Sequence, residues 1–151
     1  MNKYVVAGIA FVLVMTLTGE AAAREWETNY ETAVALAKST GKYMLLDFTG
    51  SDWCGWCVKL KKEVFDKFEF KRFARESLVC VELDFPKTRK LPRQLREQND
   101  QLEKKYGVKG FPTVIILSPD GRTVARTGYR EGGAKKYVEY LQGVIAADKK
   151  R

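Results

Sequence analysis

The sequence predicts one α/β domain whose mixed central sheet has parallel crossovers first and an antiparallel hairpin last, with helices on its flanks. Three observations carry this expectation. Two apolar runs, Tyr43–Phe48 and Leu78–Asp84, are too short for helices and lie among segments of helical periodicity. A turn, Ser118-Pro119-Asp120-Gly121, joins two further short runs. Helices alternate with the first strands, the pattern of crossover connections. The 151 residues are 45% hydrophobic and 30% charged, which suits a single globular unit and excludes collagen or wholesale disorder.

Trp26, Tyr30, Ala33, Val34 and Ala37 recur at helical spacing before a Ser39-Thr40-Gly41 stop, predicting a helix over 28–39. The strand at 43–48 follows, with Asp47 its one polar member. A helix is expected from Cys54 through Leu60, Val64 and Phe65 to Phe68, then a short one over 69–75, then the strand at 78–84, which contains Cys80. Residues 86–92 read as loop. Leu91, Leu95, Leu102 and Tyr106 share one face of a charged helix ended by Gly107. The hairpin pairs Val114–Leu117 with Thr123–Arg126, and Tyr137, Leu141, Val144 and Ile145 mark a last helix. The resulting order is α-β-α-α-β-α-β-β-α.

The first residues have the three parts of a secretory signal peptide: Lys3, an apolar run from Tyr4 to Leu17, and Ala21-Ala22-Ala23. The run is shorter than the roughly 20 residues that span a hydrocarbon core, which disfavours a retained anchor. Cleavage after Ala23 is expected, leaving a domain over 24–151 in the periplasm or otherwise exported.

The chain carries 27 basic and 19 acidic side chains, a net charge of +8. Much of the excess falls between Lys87 and Lys109. That stretch has a single aromatic residue, Tyr106, and belongs to a protein expected to be exported, so nucleic acid is not an expected partner. A solvated helix face accounts for it, and steering of acidic partners or membrane headgroups is the functional alternative.

The chain has three cysteines, Cys54, Cys57 and Cys80, and no histidine. Haem attachment would need histidine after the second cysteine, where Val58 stands, and a structural zinc site would need four ligands. No metal or organic cofactor is therefore expected. Redox chemistry is left for Cys54-Gly55-Trp56-Cys57. A thiol at a helix N-terminus ionises more easily, and Cys57, one turn on, can attack a mixed disulfide formed at Cys54. A stapling bond across so short a loop would contribute little stability. Trp53 and Trp56 serve either as packing or as an apolar surface for substrate. Cys80 reads as a small buried hydrophobe and Lys59 as a solvated helical side chain.

Asp47-Phe48, Trp53-Cys54-Gly55-Trp56-Cys57, Lys59 and Gly110-Phe111-Pro112-Thr113 together resemble the thioredoxin superfamily, over roughly Tyr43 to Ile145. More closely, FTGSDWCGWC, VELDFP, YGVKGFPT and ARTGYREGG resemble the exported DsbH-type thiol:disulfide interchange proteins, relatives of the C-terminal domain of the membrane carrier DsbD. The resemblance implies a thioredoxin fold with an extra N-terminal helix. It also implies a cis Pro112 facing the two cysteines, with Phe111 offering its backbone to an extended substrate. On the residues alone, a trans proline opening the next strand is the commoner form. Asp47 corresponds to the family's buried acid, able to exchange a proton with the resolving thiol. The lysine that often partners this acid has no evident counterpart, since Cys80 or Val81 stands near that point.

Gly55-Trp56 contains no histidine between the cysteines. An imidazolium there would stabilise the thiolate and make the disulfide more oxidising, so its absence favours a reductase. The expected substrates are exported protein or peptide disulfides, the expected donor a DsbD-like membrane carrier, and the expected state a monomer. An oxidase or isomerase using the same thiols, or a chaperone-like binder, are the alternatives.

Overall fold

The computed structural model describes residues 26–151, so the expected leader over 1–23 lies outside the described residues. Strands β1 (Tyr43–Thr49), β2 (Leu78–Asp84), β3 (Thr113–Leu117) and β4 (Thr123–Thr127) form one sheet in the order β2-β1-β3-β4. β1 runs parallel to β2, while β3 is antiparallel to both β1 and β4. The mixed sheet with a terminal hairpin is the one expected, and its single parallel crossover lies between β1 and β2.

β1 is buried along its whole length, and the period-two alternation of a strand divides its side chains between two cores. Met44, Leu46 and Phe48 join Val81, Leu83 and Ile115 beneath α1 (Tyr30–Thr40) and α4 (Arg93–Lys105). Tyr43 and Leu45 join Val114 and Ile116 on the other face. That face is covered by α2 (Gly55–Leu60), α3 (Phe68–Ser77) and α5 (Gly133–Asp148). Asp47 shares the parity of Tyr43 and Leu45, which places it on the face that carries α2 and Cys57.

Several element boundaries differ from expectation. The first helix begins at Tyr30 rather than 28, because Glu27 makes a parallel bridge to β2: its N–H donates to the Cys80 carbonyl at 2.8 Å and its carbonyl accepts from Glu82 N–H at 2.8 Å. The Asn29 carboxamide then caps the helix, accepting the Thr32 N–H at 2.9 Å. Trp26 consequently leaves the stripe assigned to it and packs on Phe65 and Phe70 in the opposite core, at 5.0 and 6.3 Å. The helix expected over 54–68 is interrupted by a π turn, Lys61–Phe65, where the Asp66 N–H reaches the Lys61 carbonyl at 2.9 Å. The wider turn keeps both Val64 and Phe65 buried. Phe68, expected on the core stripe, opens α3 instead and is 73% exposed. In α4 the buried residues are Leu102 and Asn99, the latter a polar member unexpected from the sequence, whose Nδ2 donates to the Asp84 carbonyl at 2.9 Å.

The chain is closed at the far end of the sheet by Asp148 of α5. It accepts the Tyr43 hydroxyl at 2.9 Å and pairs with Arg122 at 2.9 Å. Because Leu46 is fully enclosed on the central strand, Leu46→Ala should lower the unfolding free energy in urea by about 3 kcal/mol with an unchanged m-value.

Candidate active site

The turn from β1 into α2 is built so that two thiols and two indoles occupy five residues. Cys54 is the extended N-cap of α2, and its Sγ accepts the Cys57 N–H at 3.2 Å. The expected nucleophile thus caps the helix instead of forming its first turn, with a helix N–H aimed at its sulfur. Cys54 and Cys57 are joined in a disulfide, with Cα atoms 5.2 Å apart. Both sulfurs are largely covered, whereas Gly55 and Trp56 between them are exposed. The Gly50 N–H lies 3.5 Å from the Cys57 Sγ. Cys80 takes no part in a disulfide and is buried in the core beside Leu45 and Leu78, in keeping with its reading as a small hydrophobe.

Trp53 lies over Gly50, where an added Cβ would come within 2.5 Å of the indole, so only glycine permits this fold of the loop. The indole N–H donates to the Phe85 carbonyl at 2.7 Å, and the ring meets Phe111 edge-on at 5.7 Å. This contact brings the Phe111–Pro112 segment beside the thiol loop. The Phe111–Pro112 bond is cis. Gly128 backs it closely, since a Cβ there would stand 2.9 Å from the Pro112 carbonyl. Trp56 leans on Tyr129 at 5.2 Å. Lys59, expected to be merely solvated, sits over both the Trp56 and Tyr129 rings at 4.9 Å.

Beneath the disulfide, a recess of about 160 Å³ is lined by Asp47, Glu82, Lys61 and Cys57, among others. Asp47 and Cys57 thus share the walls of one recess. Asp47 is buried, and its Oδ1 has no hydrogen-bond partner among the described residues. Burial drives its pKa up to about 8, the neighbouring Glu82 adds to the rise, and Lys61 opposes it. Glu82 is also raised, by burial first and then by Asp84. The strand register explains this grouping: Asp47 pairs with Glu82, and Thr49 with Asp84. The position across from the buried acid is therefore held by Glu82, not by Cys80 or Val81, and a second acid stands there. Glu82 and Lys61 were missed by sequence reasoning. Lys61 lies one helical turn beyond Cys57, a spacing that could have signalled it, whereas Glu82 requires knowledge of the register.

A redox-active cysteine pair at the start of the parallel crossover of such a sheet, where β1 turns into α2, defines a thiol:disulfide oxidoreductase. The chain belongs to the thioredoxin-like domain family, whose model matches residues 30–144. It is similar to the disulfide bond reductase DsbH of Chlamydia pneumoniae, at 38% identity over 125 residues, 83% of this chain and 75% of that protein. Thioredoxin-related protein DsbJ of the same organism is 35% identical over 103 residues, 68% of this chain and 30% of DsbJ. A solved structure of a DsbH oxidoreductase matches with a TM-score of 0.78 at 36% identity, over 93% of this chain and 95% of that one.

The raised Asp47 pKa has a thermodynamic consequence. Between about pH 4, where a carboxyl titrates in the unfolded chain, and about pH 8, the folded protein holds a proton that the unfolded chain releases. Stability of the oxidised protein should therefore fall as pH rises through this window, by up to about 1.4 kcal/mol per pH unit. Urea unfolding at pH 5 and pH 8 should show a loss for the wild type that exceeds that of Asp47→Asn by about 3 kcal/mol.

Proposed function

We propose that the chain is an exported disulfide reductase in which Cys54 is the nucleophile, Cys57 the resolving thiol and Asp47 the proton acceptor for Cys57. The observation that carries this reading is that Asp47, whose carboxyl is raised to about 8, and Cys57 line the same recess. In the reduced protein, the Cys54 thiolate is stabilised by the Cys57 N–H. It attacks a substrate disulfide, forming a Cys54–substrate bond and expelling one substrate thiolate. In the fraction of the protein whose Asp47 is ionised, a fraction that grows as pH rises toward 8, Cys57 then gives its proton to the Asp47 carboxylate, directly or through water in the recess. The Cys57 sulfur displaces the second substrate thiolate, leaving the Cys54–Cys57 disulfide and a substrate reduced by two electrons.

Trp53, Gly55, Trp56, Phe111 and Pro112 form the surface on which an extended substrate segment lies. This assignment is supported by the Trp53–Phe111 contact and by the exposure of Trp53 and Trp56, 40% and 57%. The reducing direction is supported by Gly55-Trp56, which supplies no imidazolium to stabilise the thiolate. The similarity to a protein named as a disulfide bond reductase supports the same direction. Electrons return from a membrane carrier of the DsbD type. The leader over 1–23 is removed on export, and the domain over 24–151 works as a monomer. Among the described residues, no helix is long and apolar enough to cross a membrane.

Cys57→Ser should accumulate a mixed disulfide with a protein substrate, visible as a shifted band on a non-reducing gel, while Cys54→Ser should form none. The Cys54/Cys57 potential, equilibrated against dithiothreitol, should fall near thioredoxin's, about −270 mV; a value near about −120 mV would instead mark an oxidant. Asp47→Asn should slow reduction of a protein disulfide on the order of 10-fold or more at pH 7, measured by stopped flow.

A further inference from the structure

We propose that Lys87 and Lys59, each seated on an aromatic ring beside the disulfide, select substrates whose reacting cysteine lies in an acidic segment. The inference rests on the reductase reading and names the chemistry of its substrates. Lys87 Nζ stands 3.8 Å from the centroid of Trp53, and Lys59 Nζ stands 4.9 Å from those of Trp56 and Tyr129. The two tryptophans flank Cys54 in the chain, so each border of the nucleophile carries an ammonium group.

The manner of holding matters. An aromatic face fixes a cation through the ring quadrupole without cancelling its charge. A carboxylate partner would fix and neutralise it together. Among the described residues, neither ammonium forms an ion pair with a carboxylate. The acids of the same rim stay ionised but bond to donors other than these two ammonium groups. Asp52 accepts the N–H groups of Lys87 and Thr88 at 2.9 and 2.8 Å, and the Thr88 hydroxyl as well. Those bonds hold its carboxyl well below the usual range, to about 2. Asp84 accepts the Ser51 N–H at 2.9 Å and pairs with Arg89. Glu63 accepts the Tyr129 hydroxyl at 2.6 Å. The bonds of Asp52 and Asp84 pin the 85–89 loop to the thiol turn and so hold the Lys87 backbone in place.

The positive border continues away from the disulfide. Beyond Lys87, a recess of about 340 Å³ is bounded by Phe85, Leu91, Lys90 and Arg96, with four basic side chains against two acidic ones in its walls. A segment carrying carboxylates, with an occasional apolar side chain, matches that lining.

The test uses the reduced mature chain in single-turnover stopped flow, with tryptophan fluorescence as readout. Three disulfides are compared: a peptide with glutamates around its cysteines, its lysine counterpart, and neutral 2-hydroxyethyl disulfide. The acidic peptide should react about ten-fold faster than the basic one at low ionic strength, falling to less than about two-fold at 0.5 M salt. In the Lys59→Met/Lys87→Met double variant, with rates normalised to the neutral disulfide, the low-salt preference should drop to about two-fold. Equal rates for the two peptides at low salt, with the neutral disulfide still reduced, would overturn the inference and leave the reductase reading standing. An undiminished preference in the double variant would overturn the assignment to these lysines. Failure to reduce any of the three would overturn the reductase reading and this inference with it.

Discussion

A carboxyl group enclosed on the central strand is the constraint around which the site is arranged. β1 is buried on both faces, and in such surroundings an ionised group costs free energy unless it is paired. Asp47 meets this by holding its proton, so a strand otherwise made for packing carries a group that can exchange that proton near neutral pH. The parity of β1 turns the carboxyl toward α2, into a recess that Cys57 also lines. Glu82 and Asp84, on the same side of the neighbouring strand, keep the local potential negative and favour the protonated form. The disulfide therefore shares its recess with a buried acid whose pKa is raised to about 8, the group to which the proposed mechanism assigns the proton of the resolving thiol.

The rim of the site depends on a second use of acids. Asp52 and Asp84 bind backbone and side-chain donors of neighbouring loops, and Asn99 secures the end of β2 through the Asp84 carbonyl. These bonds turn the 85–89 segment from a free connection into a wall of the site, against which Trp53 and Phe111 pack. The exposed indoles are thus held by hydrogen bonds and ring contacts rather than by burial. A surface that is both apolar and fixed is what presenting an extended chain to a thiol requires.

Much of this was legible in the residues. The short runs at 43–48 and 78–84 gave both parallel strands because their length and apolar content fit nothing else. Ser118-Pro119-Asp120-Gly121 gave the hairpin because its turn chemistry is local. The two thiols were legible for the same reason: Cys54 and Cys57 are three residues apart, and the chemistry is set by that spacing. The misassignments lie where tertiary contacts override local periodicity. Trp26 has helical spacing to Tyr30, but the bridge of its neighbour Glu27 to β2 keeps this segment out of the helix. Phe68 is apolar at the expected spacing, but the π turn rotates it outward.

By itself, then, the sequence determined the class of fold, the pair of redox cysteines and the presence of an acid on the strand before them, because each is written in local pattern and residue type. Only the tertiary structure decided that Glu82 faces Asp47, that Lys61 enters the same recess, and that Lys59 and Lys87 lie on aromatic rings beside the thiols. Those pairings depend on strand register and on loops brought together from distant parts of the chain. Register is fixed by the packing of whole strands, and no spacing along one segment encodes it.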